Sequence, residues 1–91
     1  MSSPNSFQDE SEGKRKRPGA LIRAARLQRR WSHQQLARRI SLLARQEGDY
    51  TLAVESLKVL INRWEHGRST PNAYNLRLLA VALEVTDGDL T

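Results

Sequence analysis

Apolar residues in this chain recur three and four positions apart, within short segments that turn-forming residues interrupt. This spacing places them on one face of an α-helix. A chain of 91 residues can bury only one modest core. Because no segment makes a convincing strand, the sequence predicts an all-α fold, a compact bundle of four to five short helices.

Two helices are predicted in the first half of the chain. The first should cover residues 18–30, because Pro18 suits a first helical turn and Ile22, Ala25 and Arg26 share one face. Ser32 and Gln35 have the spacing of a capping box and should start the second helix. Its apolar stripe consists of Leu36, Ala37, Ile40, Leu43 and Ala44, and the turn residues at 47–50 should end it.

The sequence pattern in the second half of the chain predicts two further helices and the start of a third. Residues 51–55 fit either an extra turn or an extended stretch, and Ser56 is expected to cap a helix over residues 57–65. Gly67 should close that helix in a left-handed conformation, and Asn72 should cap the next one. Thr86 or Asp87 would start the last helix. The inward-facing residues are Leu57, Leu60, Ile61, Trp64, Leu76, Leu79, Ala80, Leu83 and Leu90.

The charge distribution indicates a polyanionic partner. The formal net charge is +5, and the stretch from Lys14 to Gln46 holds eleven Lys or Arg and no acid. Nucleic acid is the commonest partner of such a one-signed block, although a solvated basic surface is the plain alternative. Residues 1–13 are polar and should be disordered. A basic arm follows them, and the domain is expected over residues 18–91. The arm consists of Lys14, Arg15, Lys16 and Arg17.

Several functional classes are excluded or disfavoured. The chain has no cysteine, which excludes disulfides and thiolate zinc sites. It lacks an apolar run long enough for a membrane span, and it lacks the apolar stretch of a signal peptide. We find no nucleophile–base pair, phosphate-binding loop or carboxylate cluster, and no other ligands accompany His33 and His66. We therefore expect no enzymatic activity, cofactor or metal.

Five pieces of the sequence, in order, resemble a known family. The chain is similar over residues 18–90 to the lambda-repressor-like helix-turn-helix domain, also called the Cro or xenobiotic-response-element type. The pieces are Ile22-Arg23-Ala24-Ala25-Arg26, Trp31-Ser32-His33-Gln34-Gln35-Leu36-Ala37, Ile61-Asn62-Arg63-Trp64-Glu65-His66-Gly67, Pro71, and the Leu76, Leu79, Ala80, Leu83 and Val85 pattern. The chain departs from the family by roughly a dozen extra residues between Leu36 and Leu57. A similar variant with a longer second helix and a longer connection occurs in actinobacterial regulators.

The resemblance implies a bacterial, cytoplasmic transcription regulator that binds duplex DNA as a homodimer. The third helix would enter the major groove, with half-sites about one helical turn apart. Arg26 and Glu65 would form a structural salt bridge, and Trp31 and Trp64 would belong to the core. The expected base contacts are Ser56, Lys58, Val59, Asn62 and Arg63. The expected phosphate contacts are His33, Gln34, Arg68, Lys14, Arg15, Lys16 and Arg17.

Two other kinds of binding protein remain open at this point. The same basic helical face would suit a protein-interaction module, antitoxin-like or polymerase-binding, with an acidic partner. Single-stranded RNA binding is disfavoured, because the five aromatic residues form no repeated stacking pattern.

Overall fold

The computed structural model describes residues 18–90, and within them the fold is a small all-α bundle. Helix α1 covers residues 18–28 and is followed by α2 (His33–Gln46), α3 (Val54–Glu65), α4 (Ala73–Leu83) and a 3-10 turn (Asp87–Leu90). The described residues contain no strand. The predicted fold class is confirmed, whereas the predicted tail and basic arm lie outside the described residues.

The core is formed by the apolar faces that the spacing predicts. Each fully buried aliphatic side chain contributes about 1.5–3 kcal/mol relative to an exposed one. Leu43, Leu60 and Leu76 are only partly buried and pack at the edge of the core. Leu78 is buried in addition, because α4 packs against both α2 and the 3-10 turn. The largest fully buried side chains are Ile22, Leu36, Ile40, Leu57, Ile61, Leu78, Leu79, Leu83 and Leu90.

Polar caps start α2 and α4 as predicted. The Ser32 hydroxyl accepts from the N–H of Gln35 at 3.1 Å, and the Gln35 amide oxygen accepts from the N–H of Ser32 at 2.8 Å. The Asn72 side chain accepts from the N–H of Asn75 at 2.8 Å. These bonds satisfy donors that a helix start leaves free.

Four described residues with left-handed backbones close the four helices. They are Arg30 (φ 57°), Gly48 (φ 88°), Gly67 (φ 69°) and Glu84 (φ 57°). The N–H of the residue after each one bonds back to a carbonyl five positions earlier, as in the Schellman motif; Arg68 to Arg63 at 2.9 Å is an example. The stop at Gly67 is thus confirmed.

The start of α3 differs from the prediction. Ser56 does not cap this helix, because α3 begins at Val54 after Ala53, which makes no side-chain capping bond. The Ser41 hydroxyl donates to the carbonyl of Leu52 at 2.8 Å and holds the connection against α2. The chain is thereby positioned to turn into a helix before Ser56, which lies on the exposed side of the first turn.

Gly19 allows α1 to approach the end of α3 very closely. A Cβ atom at this position would lie 2.0 Å from the backbone oxygen of Trp64 and 3.1 Å from the backbone carbon of Glu65. No larger side chain fits without moving one of the two helices. The N-terminal part of α1 is therefore fixed against the C-terminal end of α3.

Candidate nucleic-acid interface

The outer face of α3 presents a row of exposed side chains. Ser56, Val59 and Asn62 follow one another at three-residue spacing, Arg63 lies four positions after Val59, and all four are exposed. Val59 is 58% exposed, although it is apolar. The side chains of Asn62 and Arg63 make no hydrogen bond or ion pair with the residues that the structure describes. This face therefore offers an amide and a guanidinium, two groups capable of bidentate hydrogen bonding.

The first turn of α3 carries an acid beside the predicted base contact Lys58. The Lys58 ammonium lies 3.4 Å from a carboxylate oxygen of Glu55, and that carboxylate is itself highly exposed. A negative charge at this end of the helix repels phosphate. The favourable part of the face is consequently its C-terminal two-thirds, where Asn62 and Arg63 lie.

A buried ion pair fixes the C-terminal end of α3. The Nε and Nη2 atoms of Arg26 donate to the two carboxylate oxygens of Glu65 at 2.7 and 2.9 Å, and Nη1 donates to the carbonyl of Trp31 at 2.8 Å. The Glu65 side chain is 1% exposed. The salt bridge expected between these two residues is thus present, and it joins α1, α3 and the turn before α2.

The surroundings of Glu65 keep its carboxylate charged. Burial by itself raises the pKa of Glu65, but hydrogen bonds from Arg26 and His33, together with their charges, outweigh burial and leave that pKa below its ordinary value. The hydrogen bond to Glu65 raises the pKa of Arg26, against the opposing effect of burial. Each group therefore favours the charged form of the other.

The ring of His33 lies inside this cluster. Its Nε2 is 3.2 Å from Oε1 of Glu65, and its side chain is 34% exposed. This contact uses one ring nitrogen and leaves the side chain one third exposed, so the phosphate contact predicted for His33 stays a prediction. The remaining donors at this helix start are the first-turn N–H groups of α2, which point out of the helix. Gln34 is partly exposed beside them.

The other predicted phosphate contacts fall in two places. Arg68 is exposed just after α3 and continues the basic character of its C-terminal end. The basic arm, Lys14 to Arg17, lies outside the described residues. The structure therefore brings together the C-terminal half of α3, Arg68 and the first turn of α2, the last through the contact of His33 with Glu65.

Trp31, which was predicted to belong to the core, packs at its edge. Only Trp64 is buried; Trp31 is partly exposed, and the guanidinium of Arg39 lies 4.0 Å from its ring centroid. A shallow depression on the outer side of α2, which we call the α2 groove, begins at this ring. Its lining residues are Trp31, Gln35, Arg38, Arg39 and Leu42.

Sequence reasoning missed the α2 groove. Leu42 is 59% exposed and lies off the apolar stripe of α2, which runs through Ile40, Leu43 and Ala44. A leucine outside the apolar stripe, on a helix with arginines at positions 38, 39 and 45, is the sequence feature that could have indicated this groove.

The described residues contain no group of three or more His, Cys, Asp or Glu side chains arranged to hold a metal ion. Among them, no helix has both the length and the apolar character needed to cross a membrane. Comparison of the chain with protein-family models, with curated proteins and with solved structures finds no match.

Proposed function

We propose that this chain binds duplex DNA in a sequence-specific manner and regulates transcription in a bacterial cytoplasm. The proposal depends above all on one observation: the side chains of Asn62 and Arg63 are exposed and make no hydrogen bond or ion pair with the described residues, on the outer face of a helix whose other face is buried. The major groove admits an α-helix, and each base pair displays a distinct pattern of donors and acceptors there.

The side chains of this face suit base edges. The amide of Asn62 can bond adenine through two atoms, and the guanidinium of Arg63 can bond guanine in the same way. Val59 is available to contact a thymine methyl group, which would also account for an exposed valine on a polar face. Ser56 and Lys58 are secondary candidates, since Glu55 lies beside them.

The positions of the neighbouring groups support the same proposal. The first turn of α2 lies near the C-terminal end of α3, because His33 contacts Glu65. A helix start attracts an anion such as a phosphate. Arg68 and the arginines of α2 add positive charge, and the residues from Lys14 to Gln46 include no acid. We propose a homodimer on DNA, with half-sites about one helical turn apart.

The decisive experiment is a selection from sheared genomic DNA with the full chain, at a stated salt concentration, followed by binding measurements on the enriched site. Arg63→Ala should weaken that site by about 1–3 kcal/mol and relax the preference at one base position. Glu55→Gln is the matched control, because it removes a negative charge from the same helix instead of a positive one. It removes the acid beside Lys58 and should strengthen binding to unrelated DNA.

The outcomes separate DNA binding from its rival. An inverted-repeat motif that depends on Arg63 supports the proposal. Equal weakening on all sequences would make Arg63 a phosphate contact instead of a base contact. If no sequence is enriched and Arg63→Ala changes nothing on any duplex, the DNA proposal fails, and an interaction module for an acidic protein takes its place.

A further inference from the structure

The α2 groove combines positive charge with exposed apolar surface. Arg39 stacks on the Trp31 ring at 4.0 Å, Arg38 lines the same depression, and Leu42 is 59% exposed within it. Leu42 also lines two neighbouring depressions, one with Arg45 and Val54 and one with Val81. Among the described residues that line these three depressions, Glu84 is the single acid.

This composition defines the chemistry of an occupant. Arginines that face solvent around an exposed leucine and a tryptophan fit a segment with carboxylates and an apolar side chain. A second copy of the same groove does not fit, because docking it here would bring Arg38 and Arg39 against their own equivalents. The occupant should therefore be acidic.

The chain itself contains a segment of that kind. Residues 7–12 contain Phe7 and three acids, Asp9, Glu10 and Glu12. In the sequence, no other acid precedes Glu47. No other part of the chain combines an aromatic residue with three acids over six positions. The segment precedes the described residues. Its composition and its distance along the chain from Pro18 are therefore the properties that bear on its docking.

The length of the chain allows this segment to reach the groove. Helix α1 covers residues 18–28 and spans about 16 Å, so Trp31 lies within roughly 20 Å of Pro18. Phe7 precedes Pro18 by eleven residues, which extend to about 36 Å. The linking residues therefore suffice to bring the segment to the Trp31 end of the groove.

We infer that residues 7–12 dock in the α2 groove, with Phe7 against its apolar surface and the acids against Arg38 and Arg39. The segment then acts as an internal polyanion that neutralises part of the basic surface of the domain. Raised salt weakens this contact, because it joins exposed charges. The inference does not depend on DNA binding, and its test contains no DNA.

The test compares the NMR spectra of the native full-length chain and of a full-length triple variant. In the variant, Asp9→Asn, Glu10→Gln and Glu12→Gln remove the three negative charges of the segment and leave the sequence of the bundle unchanged. The amide signals of Arg38, Arg39 and Leu42 and the indole N–H signal of Trp31 should shift. Signals on the outer face of α3 should not. Adding a synthetic peptide of residues 1–13 should return the shifted signals toward their original positions, whereas the same peptide with the three acids neutralised should not.

Two substitutions in the domain serve as a matched pair. Each is added to the triple variant. Arg38→Gln removes a cation from the groove and should abolish the signal shifts that the peptide causes. Arg63→Gln removes a cation from α3 and should leave those shifts intact. Absence of any shift in the groove signals would overturn the inference and leave the groove open to an external acidic partner. Shifts that depend on protein concentration would overturn it in favour of a second copy.

Discussion

Glu65 shows how a single acid can be kept charged inside a small core. Its carboxylate is held by Arg26 and His33, two residues from different parts of the chain. Removing one partner of a buried pair leaves the other without compensation, and that loss usually exceeds the net contribution of the intact pair. The role of Glu65 is therefore to position α3.

Glu65→Gln tests that role. The substitution keeps the shape of the side chain but leaves the Arg26 guanidinium facing a neutral amide, and we expect the free energy of unfolding to fall by about 3 kcal/mol. Urea unfolding at neutral pH measures the change. Glu55→Gln is the control, since it neutralises an exposed acid of the same helix and should change stability by less than about 0.5 kcal/mol. Equal effects of the two variants would refute a special role for Glu65.

For Gly19, the structure predicts a stability effect opposite to the one that helix propensity alone would give. Alanine is favoured over glycine within helices by about 1 kcal/mol. At this position, however, the added methyl group would lie 2.0 Å from the carbonyl oxygen of Trp64. Gly19→Ala should therefore lower stability by about 1–2 kcal/mol after the gain in propensity is counted.

Thermal unfolding checks the Gly19 prediction. Ala20→Gly serves as the reference, because Ala20 is an exposed neighbour in the same helix and reports propensity alone. A stabilised Gly19→Ala variant would mean that α1 does not approach α3 as closely as the structure has it.

Among the elements, the four helix ends show what sequence patterns can and cannot predict. Glycines at positions 48 and 67 sit where the chain turns left-handed, and Gly67 was expected to do so. Arg30 and Glu84 adopt the same conformation, although neither residue type favours it. The closing hydrogen bonds and the packing of the next segment impose the conformation there, and no local pattern carries that information.

This leads to a prediction for the two strained ends. Arg30→Gly and Glu84→Gly should each raise the free energy of unfolding by about 0.5–1 kcal/mol, because glycine relieves the strain of positive φ by more than it adds to the entropy of the unfolded chain. Gln46→Gly, within the last turn of α2, is the control and should destabilise. Destabilisation by all three glycines would contradict the assigned conformations.

The apolar faces and two of the three observed N-caps could be predicted, because both depend on residues within one turn of each other. The start of α3 could not, since Ala53 offers no polar cap and Ser41, twelve positions earlier, holds the connection. The outward row of Asn62 and Arg63 followed from the helical spacing of α3. The contact of His33 with Glu65 could not be predicted from the sequence, because the two residues lie 32 positions apart.

At the scale of the whole molecule, acids with lowered pKa values determine how stability responds to pH. The pKa of Glu65 is lowered as described above, that of Glu47 by its hydrogen bonds to Arg77, and that of Asp49 by its bonds to Thr51 and Tyr74. The unfolded chain therefore binds protons at a higher pH than the folded one does. The stability that these acids contribute is fully present above about pH 5 and is lost as pH falls further.

Urea unfolding between about pH 7 and pH 3 should accordingly show a steady decline in the free energy of unfolding below about pH 5. Glu65→Gln should flatten this decline, because it removes the buried acid that contributes to it. A stability that rises on acidification would contradict the lowered pKa values. A decline of the same steepness in the Glu65→Gln variant would assign the effect to the exposed acids instead.

Helix α3 is restrained unequally at its two ends. Its last turn is clamped by Arg26, His33 and the backbone contact with Gly19, whereas its first turn begins at an uncapped alanine. A partner bound to the outer face therefore contacts a last turn held by side-chain and backbone contacts, and a first turn held by the burial of Leu57 without a polar cap.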